Sequence, residues 1–314
     1  MTAATITGIG TAIPDARLTN ADLEARLDTS DEWIMARTGI RERRVAAPTE
    51  TSGSLAVEAS AAAIKDAGLV PDDVELLIVA TTTPDQALPQ TSALVHEGLG
   101  LRCGAFDVGA ACAGFVHALV VGATLLDAGD LGAVVVVGSE TLTRIVDPED
   151  RGTVPLFGDG AAAVVLRPCA PGYGLESWDL GCDGSASHIL AVPPGERFIQ
   201  MEGQEVFRRA VRAVIASAGN ALRAAGRNPA DVDLFVPHQA NARIISMAAT
   251  QLGIPAAKTM VNLERYGNTS AASVPIALAE AAEDGRLVDG DVVLLSGFGA
   301  GMAWASAVLR WGGA

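Results

Sequence analysis

Nearly continuous runs of apolar residues recur along the chain, at 75–84, 132–139, 161–168, 233–237 and 291–298. Short runs of this kind, rich in valine, leucine and isoleucine, are typical of strands that are covered on both faces. Alanine-rich stretches with helical spacing lie between them, at 54–67, 207–225 and 273–283, and each ends at or near a glycine. The alternation predicts a layered α/β fold.

The pattern contains an internal repeat. Residues 64–81 (IKDAGLVPDDVELLIVAT) align with residues 222–239 (LRAAGRNPADVDLFVPHQ), with matching Gly, Pro, Asp, Val and Leu 158 residues apart. The same offset aligns 134–137 with 292–295 and places Cys112 opposite Ser270, two residues after Asn268. We therefore predict two fused copies of one α/β unit, residues 1–170 and residues 171–314.

Length and composition agree with such a body. The chain has 314 residues, more than one hydrophobic core usually organises, and 49% of them are hydrophobic against 19% charged. Its mean hydropathy of +0.32 indicates much buried surface, including a large permanent interface. The net charge of −15 disfavours general attraction to nucleic acid or to an anionic membrane.

The cysteines and the first residues of the chain indicate the cellular compartment in which we expect the protein. Four cysteines occur without a CxxC pair, and the first ten residues, MTAATITGIG, lack the basic and apolar regions of a secretory signal. We expect a cytoplasmic protein with thiols rather than disulfides. Outside Cys112, we expect the cysteines to serve as small buried hydrophobes: Cys103, Cys169 and Cys182.

One segment has almost the length of a membrane span. Residues 108–126 carry no charge over 19 positions. Against a span stand three glycines, His117 near the middle and the small alanine side chains. We predict instead a helix that is buried on all sides in a large core.

Four segments carry candidate chemistry. Cys112 follows a strand-like stretch at the start of this apolar helix, and the helix N-terminus is expected to lower the thiol pKa. His238 ends a repeat-related strand, where α/β proteins bind ligands. Asn268 lies at a loop-to-helix junction and could equally be an ordinary N-cap. The glycine loop at 296–301 could present backbone N–H groups to an oxyanion.

Taken together, these segments resemble β-ketoacyl-acyl-carrier-protein synthase III, a condensing enzyme of the thiolase superfamily. The matching motifs are DEWIMARTGIRERR at 31–44, ACAGF at 111–115, VPHQAN at 236–241, YGNTSAAS at 266–273 and GFGAG at 297–301. The resemblance implies a five-layered αβαβα thiolase-like fold built from two duplicated α/β halves. It also implies a homodimer that has no metal or tightly bound cofactor and uses acyl-CoA and malonyl-acyl-carrier protein as substrates.

The resemblance also implies roles for individual residues. Cys112 would be the acyl-carrying nucleophile, His238 and Asn268 would bind the malonyl thioester, and the Cys112 and Ala300 N–H groups would form the oxyanion hole. Coenzyme A would contact Thr29, Trp33, Arg37, Arg151, Gly152, Gln204, Phe207, Ala240 and Asn241. The carrier protein would dock on Gln239, Ala240, Asn241, Ala242, Arg243, Arg208, Arg209 and Arg212. Leu88, before Pro89, would shape the primer pocket across the dimer interface.

Several alternatives remain open at this stage. A thiolase would need a second cysteine in the C-terminal glycine loop, elongating synthases carry a histidine in place of Asn268, and plant-type polyketide synthases are longer. A related acyltransferase of a secondary-metabolite pathway fits the same motifs, and an acyl-thioester hydrolase or a thiol sensor could use Cys112. The sequence does not fix the preferred primer.

Overall fold

Two β-sheets form the frame of the protein, whose computed structural model describes residues 4–129 and 131–313. The first sheet has five strands in the order β1 (Ala4–Ala12), β7 (Asp159–Pro168), β6 (Val134–Thr141), β4 (Leu76–Ala80) and β5 (Gly104–Val108). Strand β4 runs parallel to β5 and β6, and β7 runs antiparallel to β1 and β6. The carboxyl ends of β4 and β6 therefore meet at one edge of the sheet.

The second sheet repeats this arrangement with four strands. Their order is β11 (Leu234–Pro237), β12 (Val292–Gly299), β13 (Ala303–Arg310) and β8 (Gly174–Cys182). Strands β11 and β12 are parallel, and β13 is antiparallel to both of its neighbours. The place that β5 takes in the first sheet is reduced here to one parallel bridge between Phe235 and Thr259.

Helices separate and cover the two sheets. Between the sheets lie α5 (Gly114–Ala128) and α9 (Ser273–Glu283), which share one apolar core with the inner sheet faces. The outer face of the first sheet is covered by α3 (Ser52–Asp66) and α4 (Thr91–Leu99), and that of the second sheet by α6 (Gly203–Ala224) and α7 (Ala242–Leu252). The result is the five-layered fold that the resemblance implied.

Shorter elements complete the fold. They are β2 (Arg17–Thr19), α1 (Asn20–Glu24), α2 (Asp31–Thr38), β3 (Glu42–Arg44), β9 (Leu190–Ala191), β10 (Gln200–Met201) and α8 (Leu263–Tyr266). Helix α2 ends at Gly39, which has a φ of 80° and lies so close to Ala242 that an added Cβ would come within 2.6 Å of its side chain. Glycine is needed there because it tolerates this φ and leaves room for α7.

The apolar segment after Cys112 is a core helix. Residues Ala111–Ala128 are long and apolar enough to cross a membrane, but 61% of this stretch is buried inside the protein, between the two sheets. The segment is therefore a core helix as predicted, but it is not buried on all sides, because Leu125 near its end is 41% exposed in the single chain.

The repeat is present, with one correction. Strands β4 and β11, strands β6 and β12, and the turns Pro71–Asp73 and Pro229–Asp231 all keep the offset of 158 residues. The turn before α9, however, begins 159 residues after the turn before α5, one residue more than the offset of the strands. The left-handed residues are Ala111 (φ 45°) and Ser270 (φ 46°), so Ser270 corresponds to Ala111 and not, as predicted, to Cys112.

Candidate active site

A cleft of about 860 Å³ runs from the surface between α2, α6 and α7 down to the ends of the central helices. Cys112, His238 and Asn268 lie at its inner end, so the structure brings the three predicted catalytic residues together. Further predicted residues line its outer part: Trp33, Arg37, Arg151, Gly152, Gln204, Phe207, Arg208, Ala240, Asn241 and Arg243. Other predicted residues lie outside the lining that this described chain provides: Thr29, Leu88, Arg209, Arg212, Gln239, Ala242 and Ala300.

Cys112 lies in the 3₁₀ turn Ala111–Ala113, directly ahead of α5, and is 8% exposed. Burial raises the pKa of its thiol to about 12, and the nearby Glu140 carboxylate adds to the increase. The expected lowering of this pKa by the helix N-terminus is therefore wrong for the free protein, because desolvation outweighs it. The thiol must lose its proton to a partner before it can attack.

His238 follows the buried strand β11 and is 7% exposed. Its backbone N–H donates to the Ser296 carbonyl (2.7 Å), and its Nδ1 lies 2.5 Å from the Ser273 hydroxyl. That hydroxyl already accepts the Gln239 N–H (3.3 Å), so it can donate to Nδ1 and leave the imidazole proton on Nε2. Burial lowers the pKa of His238 to about 3, which keeps the ring neutral at physiological pH.

Asn268 is fixed by its neighbours rather than acting as a helix cap. Its backbone N–H donates to the Leu156 carbonyl (2.7 Å), and its Oδ1 accepts the Ser270 N–H (2.8 Å). Ala272 occupies the N-cap position of α9, which decides against the N-cap alternative. With Oδ1 engaged, the Nδ2 amide is the part of the side chain that can donate into the cleft.

The glycine loop after β12 lies directly against Cys112. A Cβ added at Gly299 would come within 2.6 Å of the Cys112 backbone nitrogen and 2.9 Å of its Cβ. Only glycine allows the peptide that leads to Ala300 to approach this closely. The loop therefore lies where its N–H groups could act together with that of Cys112.

The outer cleft is built around Trp33. The guanidinium groups of Arg37 and Arg151 lie 4.7 and 4.8 Å from its ring centroid, and Arg151 also pairs with Asp28 (3.2 Å). Thr29 lies close by along the chain, and within the described residues its buried hydroxyl has no hydrogen-bond partner. An aromatic ring and two cations can bind a planar, phosphate-bearing ligand.

The side chains assigned to carrier-protein docking fall into different environments. The structure contradicts the assignment of Gln239, which is 1% exposed and bonds inside the core to Pro237, Met260 and Asn262. Asn241 caps α7 and also donates to the Arg37 carbonyl (2.8 Å), so it has a structural task of its own.

The predicted basic residues are not equally available. Arg209 is paired with Asp183 and Glu205, both at 2.8 Å, whereas Arg212 is exposed and Arg243 lies over the Phe207 ring at 5.3 Å. Arg208 is exposed and pairs with Glu205. Arg208, Arg212 and Arg243 are therefore the exposed members of this set, whereas Arg209 is half-buried between two carboxylates.

The remaining cysteines differ from expectation. Cys182 is exposed at the end of β8, and Cys103 and Cys169 are half-buried, so the prediction of buried cysteines is wrong at position 182. Within residues 4–129 and 131–313, no group of three or more His, Cys, Asp or Glu side chains could hold a metal ion.

Several residues of the site were not predicted from the sequence. Ser273 orients His238, although it stood unassigned in the YGNTSAAS motif. Leu156 and Phe298 line the cleft. Glu140 is fully buried beside Cys112. A signal for Glu140 existed, since it is the first charged residue after an uninterrupted apolar strand, at the strand end where α/β proteins place their sites.

Comparisons with known proteins agree with this site. Residues 106–184 match the family 3-oxoacyl-(acyl-carrier-protein) synthase III, and residues 222–311 match its C-terminal part. The chain is 47% identical to a β-ketoacyl-(acyl-carrier-protein) synthase III of Desulfitobacterium hafniense, over 98% of this chain and 97% of that protein.

Solved structures show the same likeness. The 3-oxoacyl-(acyl-carrier-protein) synthase III from Aquifex aeolicus is 42% identical with a TM-score of 0.96, covering 98% of this chain and 100% of that one. The priming β-ketosynthase of the R1128 polyketide biosynthetic pathway is 37% identical with a TM-score of 0.93, covering 99% and 96%.

Fold and cleft together define a condensing enzyme of the thiolase fold, that is, an acyltransferase. At this level of identity over its full length, the chain belongs to the β-ketoacyl-acyl-carrier-protein synthase III family, which initiates fatty acid synthesis.

Proposed function

We propose that this enzyme joins an acyl-CoA primer to malonyl-acyl-carrier protein by decarboxylative condensation, with Cys112, His238 and Asn268 as the catalytic residues. The observation that carries the proposal is their convergence, from three distant segments, at the inner end of one cleft. Cys112 belongs to the proposed first half (1–170), and the other two belong to the second half (171–314).

In the first step Cys112 attacks the thioester carbonyl of the acyl-CoA. The acyl group moves to the Cys112 sulfur, and coenzyme A leaves, which divides a difficult carbon–carbon bond formation into two easier steps. The backbone N–H groups of Cys112 and Ala300 would stabilise the oxyanion, a role that the close approach of Gly299 to Cys112 supports.

In the second step the malonyl thioester binds with its carbonyl oxygen between His238 and Asn268. Loss of carbon dioxide leaves an enolate, and the Nε2–H and Nδ2–H groups donate to it where its charge develops. Neutral donors suit this task, because they stabilise the enolate without protonating it. The enolate carbon then attacks the acyl-Cys112 thioester, giving β-ketoacyl-carrier protein and freeing Cys112.

The outer cleft would hold coenzyme A. Trp33 and Arg151 offer a stacking surface for the adenine, and Thr29 lies near Trp33 along the chain. The remaining residues of the proposed site follow the cleft inward: Arg37, Gly152, Gln204, Phe207, Ala240 and Asn241. No tightly bound cofactor is needed for this chemistry.

The carrier protein would dock at the mouth of the same cleft. Arg208 and Arg243 line the cleft and are exposed, and Arg212 is exposed one turn further along α6. A local cationic patch matters because the chain as a whole carries −15 charges and would repel an acidic partner. Ala240, Asn241 and Ala242 lie beside the patch. We further propose a cytoplasmic homodimer in which Leu88, 79% exposed in the single chain, contributes to the partner's primer pocket.

Intact-mass analysis after incubation with a panel of acyl-CoAs tests the proposal. We expect one acyl adduct per chain, lost in Cys112→Ala, and a product two carbons longer than the primer once malonyl-acyl-carrier protein is added. Release of the free acid without elongation would favour a hydrolase.

A further inference from the structure

Glu140 is a fully buried carboxylate that the proposed mechanism does not use. It ends the apolar part of β6 and is 0% exposed. Its oxygens accept hydrogen bonds from the Thr82 N–H (3.0 Å), the Thr82 hydroxyl (2.9 Å) and the Thr83 hydroxyl (2.7 Å). All three bonds end on Oε2, and Thr82 also donates to Oε1 through its N–H (3.2 Å) and its hydroxyl (3.0 Å). These hydrogen bonds stabilise the ionised form and oppose burial, which is the larger effect and raises the pKa of Glu140.

The other groups around Glu140 come from the second half of the chain. The Ala271 N–H points at Oε1 from 3.5 Å, and the preceding Ser270 hydroxyl interacts with the carboxylate. The same hydroxyl interacts with the Cys112 thiol, which is also the titratable neighbour of Glu140. Ser270 therefore stands between the nucleophile and a buried acid.

Ser270 is held in this place by strain and by a specific bond. Its φ of 46° is unusual for a residue other than glycine, and the Asn268 side chain fixes its N–H at 2.8 Å. Such a conformation persists only where the surrounding structure enforces it, and it occurs most often at functional sites. The left-handed conformation itself does not require a serine, because Ala111 adopts it at the equivalent position of the other half. The Ser270 hydroxyl is therefore not explained by the backbone conformation or by packing alone.

The electrostatics of the pair point to proton exchange. An ionised Glu140 raises the pKa of Cys112, so two negative charges are disfavoured in this buried space. Burial also raises the pKa of Glu140, which makes it able to hold a proton. Moving the thiol proton onto Glu140 keeps a single negative charge in the pair.

We propose that Ser270 and Glu140 form a proton relay for Cys112. During acylation the Cys112 S–H proton passes to the Ser270 oxygen while the Ser270 O–H proton passes to Glu140. The relay rests on the acyl-transfer function proposed above, and it gives Ser270 contact with the reacting sulfur and Glu140 a positioning role behind it.

The step balances over the full cycle. In acylation the Cys112 sulfur bonds to the acyl carbon, the bond from that carbon to the coenzyme A sulfur breaks, and the coenzyme A thiolate takes a proton from solvent. The thiol proton remains on Glu140. In condensation the enolate displaces the Cys112 thiolate, and the stored proton returns through Ser270, which restores thiol and carboxylate.

The proton count of acylation distinguishes this relay from a purely structural cluster. At pH 7 a coenzyme A thiolate is almost fully protonated once released. Wild-type enzyme mixed with an acyl-CoA in weak buffer with an indicator dye should therefore take up one proton per acyl-enzyme formed, with adduct formation followed by intact mass. If Cys112 instead hands its proton to the leaving group, no net uptake occurs.

Variants test the individual residues. Glu140→Gln and Ser270→Ala should acylate roughly 10²-fold more slowly at pH 7, the usual size of a general-base contribution, and take up no proton. Their defect should shrink towards pH 9, where hydroxide ionises the thiol directly, and Glu140→Asp should regain part of the rate. Ser60→Ala, which removes a buried hydroxyl outside the site, is the matched control and should behave as wild type.

The outcomes separate the proposals. Acylation by wild type without proton uptake overturns the relay, as does a Glu140→Gln or Ser270→Ala defect that is constant with pH. If Glu140→Gln does not fold, the wild-type proton count still decides. Failure of wild type to form any acyl-enzyme would count against the proposed function instead.

Discussion

The ends of equivalent strands carry different kinds of side chains in the two halves. In the first half, β4 is followed by Thr81–Thr83 and β6 carries Glu140, and these polar groups bind one another below the nucleophile. At the position of Glu140 the second half carries Phe298 in β12, and at the position of Ala80 it carries His238 after β11, and both of these line the cleft. The strand ends thus carry a buried polar cluster near Cys112 in the first half and cleft-lining side chains in the second half.

The turns before the central helices differ in a related way. Both contain a left-handed residue, Ala111 or Ser270, but the nucleophile Cys112 follows only the first, and the second turn is preceded by Asn268. Cys112 would act when the primer binds, whereas His238 and Asn268 would act on the malonyl group. The proposed nucleophile therefore comes from the first half, and the two proposed donors to the malonyl thioester come from the second half.

The strongest test uses two variants, each of which should lose one activity, acylation or decarboxylation, and keep the other. Cys112→Ala should form no acyl-enzyme yet still decarboxylate malonyl-acyl-carrier protein, because His238 and Asn268 remain. His238→Ala should be acylated and should decarboxylate about 10²- to 10³-fold more slowly, since one donor to the enolate is gone. Intact mass and carbon dioxide release measure the two steps.

The neutral state of His238 adds a pH control to this test. With a His238 pKa of about 3 the ring is neutral and keeps its single proton on Nε2 between pH 5 and pH 8, so decarboxylation by Cys112→Ala should change little over this range. A rate that falls with an ordinary histidine pKa near 6.5 would contradict a neutral donor.

A second test concerns Gly299, which lies where the two halves are in contact. Gly299 belongs to the second half but lies on the Cys112 backbone, so Gly299→Ala should disturb the oxyanion hole and lower the acylation rate roughly 10²-fold with little change in KM. Pre-steady-state acylation measures this. Gly184→Ala, where an added Cβ meets nothing within 4 Å, is the control and should acylate normally.

Much of this arrangement could be predicted from the sequence because the local patterns and the fold agree. The apolar runs located β4, β6, β7, β11 and β12, and the repeat related the two halves. The motifs around Cys112, His238 and Asn268 indicated residues that the structure brings to one cleft. Strand ends and helix starts are local features, so they can be read without knowledge of tertiary contacts.

What could not be predicted depends on distant contacts. The pKa of Cys112 is set by burial between the two sheets, which outweighs the helix start seen in the sequence. The strand expected to reach residue 84 ends at Ala80, because the following threonines turn to bind Glu140, 57 to 59 positions away. Gln239 looked like a docking residue in its motif, but its amide completes backbone bonds in the core.

A third test sharpens the assignment of the first half to acylation. Trp33→Ala and Arg151→Ala remove a stacking surface of the outer cleft, and stacking of a base on an aromatic ring is worth about 1–3 kcal/mol. We expect KM for acyl-CoA to rise about tenfold while kinetics with malonyl-acyl-carrier protein are spared, since adenine is present only in the first substrate. Trp178→Ala, on the exposed strand β8, is the control; equal effects on both substrates would contradict the coenzyme A site.

The smallest expected effect concerns Leu88, another residue of the first half, which should influence primer choice alone. An aromatic ring before this proline would shorten the partner's primer pocket, whereas leucine leaves more room. Each methylene accommodated in an apolar pocket is worth roughly 0.8 kcal/mol, about fourfold in rate. Isobutyryl-CoA should therefore compete well with acetyl-CoA, and Leu88→Phe should lower kcat/KM several-fold for the larger primers only. Val288→Phe, at another exposed apolar site, controls for a surface aromatic. Strong preference of wild type for acetyl-CoA, unchanged by Leu88→Phe, would remove Leu88 from the pocket without affecting the division between the halves.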